Sequence, residues 1–123
     1  LAVDRNNARV ADLYHSLHPA VLRALSEVAQ AGKEEKVPVG ICGELAGDPA
    51  AAVLLLAMGY DILSMNATSL TRVNKALCTI SLTESRTLLQ RVMAMEQHGQ
   101  VRVELDRFLT DHGMERFIHA PMT

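Results

Sequence analysis

Apolar positions in this chain alternate between short continuous runs and stripes at helical spacing. Leu1 to Val3 is a short apolar run that reads as the end of a strand. Val21, Leu22, Leu25, Val28 and Ala29 then recur at helical spacing. His18-Pro19 opens that helix with proline in the first turn, and Gly32 is expected to stop it. Lys33 to Lys36 reads as a charged turn. Val37 to Cys42 reads as a buried strand, with Pro38 near the start where the ladder tolerates it. Asp48-Pro49 supplies an N-cap and a first-turn proline for the next helix, which Gly59 closes. Ala50 to Met58 is apolar on every face, so a covering surface is expected, either the terminal helices or a partner chain.

Ile62 to Met65 is the next predicted strand. Ser69 is expected to cap a helix carrying Leu70, Val73, Ala76 and Leu77, with Cys78 on its apolar stripe and therefore in the core. Ser81 and Glu84 have capping-box spacing and begin a helix through Leu88, Leu89, Val92 and Met95 to about Gly99. A last helix holds Val101, Val103, Leu105, Phe108 and Leu109 and ends near Gly113. The pattern is βαβαβα with an extra helix. Strands separated by one helix pair in parallel through a crossover. Three such strands leave two open edges, and open edges invite pairing. The expected fold class is α/β, with residues 1–123 forming one segment of a larger parallel sheet or (β/α)8 barrel. The chain also opens inside an apolar run without an initiating Met, which reads as part of something longer.

Composition narrows the function classes. Of 123 residues, 49% are hydrophobic and 21% charged, which excludes a disordered chain. Twelve Lys and Arg against fourteen Asp and Glu leave a net charge of −2, with no polybasic block. That balance argues against nucleic acid and against an anionic membrane surface as partners. The longest apolar run, Ala50 to Met58, is far short of the roughly 20 residues that span a bilayer. Cys42 and Cys78 have no thiol or histidine at metal-ligand spacing, and reduced thiols in the cytoplasm are expected. The five histidines are scattered and carry no assigned chemistry.

In parallel α/β architectures, reactive groups gather beyond the carboxyl ends of the strands. Arg5 follows the first predicted strand, Cys42 ends the second and Asn66 follows the third, so all three are expected to open onto one face. The loop from Gly43 to Pro49 leads from a strand into a helix start, a setting that admits a ligand to the backbone and favours an anion. Blander readings stand beside these: an ordinary loop with an N-cap, a packed small hydrophobe at Cys42, and a surface ion pair at Arg5. Geometry alone says only "anion plus thiol".

The run Ile41-Cys42-Gly43-Glu44-Leu45-Ala46-Gly47-Asp48 closely resembles the C-G-E-x-A-G-D motif of the phosphoenolpyruvate-utilising enzymes. Leu1-Ala2-Val3-Asp4-Arg5 looks like the tail of that family's other signature, whose final arginine binds phosphoenolpyruvate. The two motifs occur in order and at family spacing. Together with Asn6-Asn7 and Leu63-Ser64-Met65-Asn66, they make the chain most similar to the nitrogen-related branch of the phosphotransferase-system Enzyme I family, the phosphoenolpyruvate-protein phosphotransferases.

The resemblance implies the C-terminal part of a phosphoenolpyruvate-binding TIM barrel. Arg5 would hold the substrate anion. Cys42 would be the proton donor to the methylene carbon, since a thiol is ordinarily protonated at neutral pH. Glu44 and Gly43 would shape the pocket without a direct role. The resemblance also implies Mg²⁺, with ligands expected upstream of Leu1, an upstream phospho-accepting histidine, and an HPr-like phosphocarrier as acceptor. The segment alone is expected not to transfer phosphoryl, and to associate as a homodimer. Two other readings remain open here: a dimerisation or regulatory module without catalysis of its own, and a redox-sensing thiol at Cys42.

Overall fold

In the computed structural model, which describes residues 2–118, five α-helices surround a small parallel sheet. The helices are α1 (Pro19–Glu34), α2 (Pro49–Met58), α3 (Ala67–Thr79), α4 (Leu82–Met93) and α5 (His98–Asp111). The strands are β1 (Gly40–Cys42) and β2 (Ile62–Ser64), paired in parallel with Gly40 opposite Ile62 and Cys42 opposite Ser64. Two strands therefore replace the expected three. Ala2 and Val3 are unpaired chain leading into turns, and Leu1 lies outside the described residues. An apolar run of that length carries no information about a pairing partner.

The sheet is also less buried than the run Val37–Cys42 suggests. Gly40 and Cys42 on β1, and Ile62 and Ser64 on β2, are exposed, whereas Ile41 and Leu63 pack against the core. Successive side chains point to opposite faces, so the helices cover one face and the other is open. The strand starts late because Lys36 occupies the left-handed region at φ 56° and Pro38 has no N–H to pair. Val39 bridges to the neighbouring strand instead through Asp61, whose carboxylate accepts the Val39 N–H at 2.9 Å.

Helix α2 is the centre of the core. Asp48 caps its start and accepts the Ala50 N–H at 3.1 Å, with Pro49 in the first turn. Its end is a Schellman closure: Gly59 at φ 100°, with Tyr60 N–H donating to Leu55 O and Gly59 N–H to Leu56 O. Residues 49–55 and Met58 are buried. Helices α1, α3, α4 and α5 all pack on α2, so the chain's own helices supply the cover that its apolar circumference demands. No partner chain is needed for that purpose.

Three further boundaries differ from the sequence reading. Gly32 does not end α1, which continues to Glu34; a Cβ at Gly32 would collide with the Val39 side chain, so this glycine admits β1's approach. Asn66, not Ser69, caps α3, accepting the Ser69 N–H at 2.9 Å, and Ser69 is buried in the first turn. Gly99 ends nothing: α4 stops at Met93, and Gly99 lies in the first turn of α5. Cys78 is exposed rather than in the core, because it lies about 200° around α3 from the buried Ala76.

The capping box at Ser81 and Glu84 is present, and it extends across the fold. Glu84 also faces His112 Nε2 at 3.2 Å, while His112 Nδ1 lies 2.8 Å from Phe108 O. Both ring nitrogens therefore face acceptors, a set that only the doubly protonated imidazole satisfies. The Ser81 backbone and hydroxyl, then His112, hold Glu84 down at about 2. Desolvation opposes charging of His112, but the Phe108 carbonyl, Glu84 and Asp111 outweigh it and raise its pKa.

The Glu84 contribution is complete above its ordinary 4.5 and fades as pH falls towards 2. The His112 contribution is complete below its ordinary 6.5 and fades as pH rises through the raised value. The clasp between α4 and α5 is therefore strongest between about pH 4.5 and 6.5. Thermal unfolding of His112→Gln against the wild type should show the largest Tm deficit near pH 5.5, shrinking above pH 7. A deficit constant from pH 5 to 9 would contradict this assignment.

Candidate active site

The carboxyl end of β1 passes into the loop through Gly43, whose φ of 107° strains any other residue. A 3-10 turn, Leu45–Gly47, follows and leads to Asp48. Gly47 lies close to α3: a Cβ there would come within 3.0 Å of Ser69 Oγ. The loop is thus held against the start of α3 and brings Glu44 out beside the strand end.

On the opposite side, residues 4–10 form consecutive turns. Asp4 accepts the Asn6 N–H at 2.9 Å, Asn7 accepts the Arg9 N–H at 3.0 Å, and Asn7 N–H donates to Asp4 O. Arg5 lies in the first of these turns and reaches Glu44, with Nη1 3.4 Å from Oε1. Arg5, Cys42, Gly43 and Glu44 line one cleft of about 440 Å³, whose wall also includes Tyr14, His15 and Ser16 and the apolar Val21, Leu25 and Leu45.

Arg5 and Cys42 therefore line one cleft, although Arg5 reaches it from a turn and not from the end of a strand. Cys42 is exposed on the open face of the sheet and is not a packed hydrophobe. Arg5 makes the surface ion pair of the blander reading, with both partners 57% exposed, and it makes that pair at the mouth of the cleft. Asn66 does not join them: it is not among the residues lining the cleft, and its side chain is spent on capping α3.

The start of α2 is likewise not an open anion site. The buried Asp48 carboxylate already occupies it and pairs with Arg102 Nη1 at 2.9 Å, while Arg102 Nε holds Asp106 at 3.1 Å. The aspartate that ends the C-G-E-x-A-G-D-like run is thus a structural tie between α2 and α5. Sequence reading found its capping role and missed its cation, which lies 54 residues away on another helix.

His15 was also missed. Its ring stacks on that of His98, the first residue of α5, with centroids 3.6 Å apart and planes 11° from parallel. Desolvation, then the His15 and His18 charges, push His98 below its ordinary value. No sequence spacing marks a pair so far apart. Magnesium does not fit here: Glu44 is the one carboxylate lining the cleft among the described residues, and it is engaged with Arg5. No group of three metal-ligating side chains occurs among those residues.

Similarity to known proteins assigns the family. Residues 1–82 match the family described as PEP-utilising enzyme, PEP-binding domain. The chain is 44% identical over 120 residues to a Salmonella typhimurium protein named phosphoenolpyruvate-dependent phosphotransferase system, covering 98% of this chain and 16% of that one. The Escherichia coli protein of the same name is 42% identical, with the same coverage. A Haemophilus influenzae phosphoenolpyruvate-protein phosphotransferase is 34% identical over 114 residues, covering 93% of this chain and 20% of the relative. The chain therefore spans about a fifth or less of these relatives' length. Two-thirds of it, including Arg5, Cys42 and the loop that joins β1 to α2, lies within the matched domain, and the chain belongs to the PEP-binding domain family of the PEP-utilising enzymes.

Proposed function

We propose that residues 1–123 are a single segment, the C-terminal part of a (β/α)8 barrel in a phosphoenolpyruvate-protein phosphotransferase, and that the cleft binds phosphoenolpyruvate. Support for the barrel comes from the two parallel strands joined by α2 and from the uncovered sheet face carrying the 58%-exposed Ile62. A two-stranded parallel sheet with one exposed face and open edges is completed by further strands. The observation that carries the site reading is the meeting of Arg5 and Cys42 on one cleft at the carboxyl end of β1.

In this reading the Arg5 guanidinium binds and orients the substrate anion. When the bond between phosphorus and the enol oxygen breaks, phosphoryl passes to a histidine of the longer protein and the enolate of pyruvate remains. The Cys42 S–H then gives its proton to the methylene carbon. A C–H bond forms, the thiol becomes a thiolate, and solvent restores its proton. Mg²⁺, bound by residues outside this chain, is part of the proposed activity. So are an HPr-like phosphocarrier as the next acceptor, a homodimer, and a cytoplasmic setting. Among the described residues no helix is long and apolar enough to cross a membrane.

Arg5 tests the binding half. In the full-length protein Arg5→Ala should raise KM for phosphoenolpyruvate at least tenfold, the cost of about 1.4 kcal/mol or more for a charge-assisted contact. Arg5→Lys should rescue it only in part, because an ammonium lacks the planar two-pronged donor set. Unchanged KM in both variants would remove Arg5 from the site.

A further inference from the structure

We infer that Glu44 is the exchange partner of Arg5: it holds the guanidinium at the cleft mouth and yields it to an incoming anion. This rests on the reading of the cleft as the phosphoenolpyruvate site. The geometry has three parts. Arg5 and Glu44 meet across 39 residues of sequence, one from the turns after Val3 and the other from the loop after β1. Their contact is at the edge of the cleft that Cys42 also lines, so an anion drawn to Arg5 arrives where Glu44 already is. Finally, the Glu44 side chain makes no capping bond to the 3-10 turn that it precedes.

The strength of the pair suits exchange. At 3.4 Å, with both side chains 57% exposed, it is a weak ion pair in a high-dielectric setting. A buried, bidentate clamp would resist displacement. An exposed single contact does not, and a phosphate or carboxylate offering two oxygens to the planar fork wins the competition. Until then Glu44 keeps Arg5 from sweeping solvent and repels every anion, so that only one making the two-pronged contact displaces it. Glu44 is thus a positioning residue for Arg5, and its charge opposes the ligand that Arg5 attracts.

The opposing charge separates this role from a purely structural one, because removing it should improve binding. Glu44→Gln keeps the side chain's length and one acceptor oxygen while deleting the charge. In the full-length protein with Mg²⁺, the Arg5 Nε–Hε signal followed by NMR during titration with phosphoenolpyruvate at low salt should give a Kd about two- to fivefold lower for Glu44→Gln than for the wild type. The difference should shrink as salt is raised, as expected for an exposed charge. Glu44→Ala should bind less tightly than Glu44→Gln, because Arg5 then loses its holder as well. Equal or weaker binding by Glu44→Gln, with a clear Arg5 response in both proteins, would overturn the exchange role and leave the site reading standing. No Arg5 response in either protein would overturn both.

Discussion

Replacing Cys42 with alanine in the full-length protein should slow pyruvate formation by 10²- to 10⁴-fold, the usual contribution of a positioned general acid, while phosphoenolpyruvate binding stays near the wild-type level. The reasoning is local. Cys42 ends β1 on the open face of the sheet, and it lines the cleft with Arg5. A neutral thiol contributes little to holding an anion, so its loss falls on the chemical step. Parallel reduction of kcat and kcat/KM is the signature of an interaction made only in the transition state. Single-turnover measurement of pyruvate release, with substrate affinity measured separately, checks both halves. Wild-type turnover in Cys42→Ala would remove the thiol from the mechanism, and a large loss of affinity would make it a binding group instead.

The second large effect is on stability, and it falls on Asp48. Its carboxylate is buried, caps α2 through the Ala50 N–H and pairs with Arg102 on α5. Asp48→Ala removes the cap, worth about 1 kcal/mol, and a charge-assisted hydrogen bond worth about 1.5–3 kcal/mol. A total loss of about 2.5–4 kcal/mol is expected. Asp48→Asn keeps the capping oxygen and should lose less. Arg102 is 32% exposed, so water takes up part of its lost pairing and the larger cost of a fully buried orphan charge does not apply. Urea unfolding of the three proteins measures the series. Losses below about 0.5 kcal/mol for Asp48→Ala would show that the Asp48–Arg102 tie does not bear on stability.

These two residues also show what sequence reading reached and where it stopped. Local chemistry was legible: Asp48-Pro49 at the start of α2, Gly59 at its end and the Ser81–Glu84 box each act within four residues of themselves. Cys42 was legible because reactive groups gather beyond the carboxyl ends of parallel strands, whereas Arg5 reaches the same cleft from a turn rather than from a strand end. Contacts between distant segments left no periodic trace. Asp48 with Arg102, His15 with His98 and Glu84 with His112 each join positions whose types could equally be solvated.

The errors have a common physical form. The apolar run at the start looked like a strand, but pairing needs a neighbour, and Ala2 and Val3 have none among the described residues. Gly32 and Gly99 looked like helix ends because glycine favours them. One instead makes room for Val39, and the other occupies a first turn where a Cβ would meet nothing. Asn66 stood at the right end of β2 for a ligand, yet the Ser69 N–H at the start of α3 claimed its side chain.

The central claim is that one cleft, with Arg5 and Cys42 on its wall, receives phosphoenolpyruvate. The two thiols of the chain are both exposed, and Cys78 on α3 is not among the residues lining that cleft, so one serves as the internal control for the other. The decisive measurement is the rate of iodoacetamide modification at each thiol in the full-length protein with Mg²⁺, with and without phosphoenolpyruvate, resolved by peptide mass spectrometry. Saturating phosphoenolpyruvate should slow labelling of Cys42 at least tenfold and leave Cys78 unchanged, and Arg5→Ala should shift that protection to higher ligand concentration. Labelling of Cys42 at the same rate with and without saturating phosphoenolpyruvate would contradict the account.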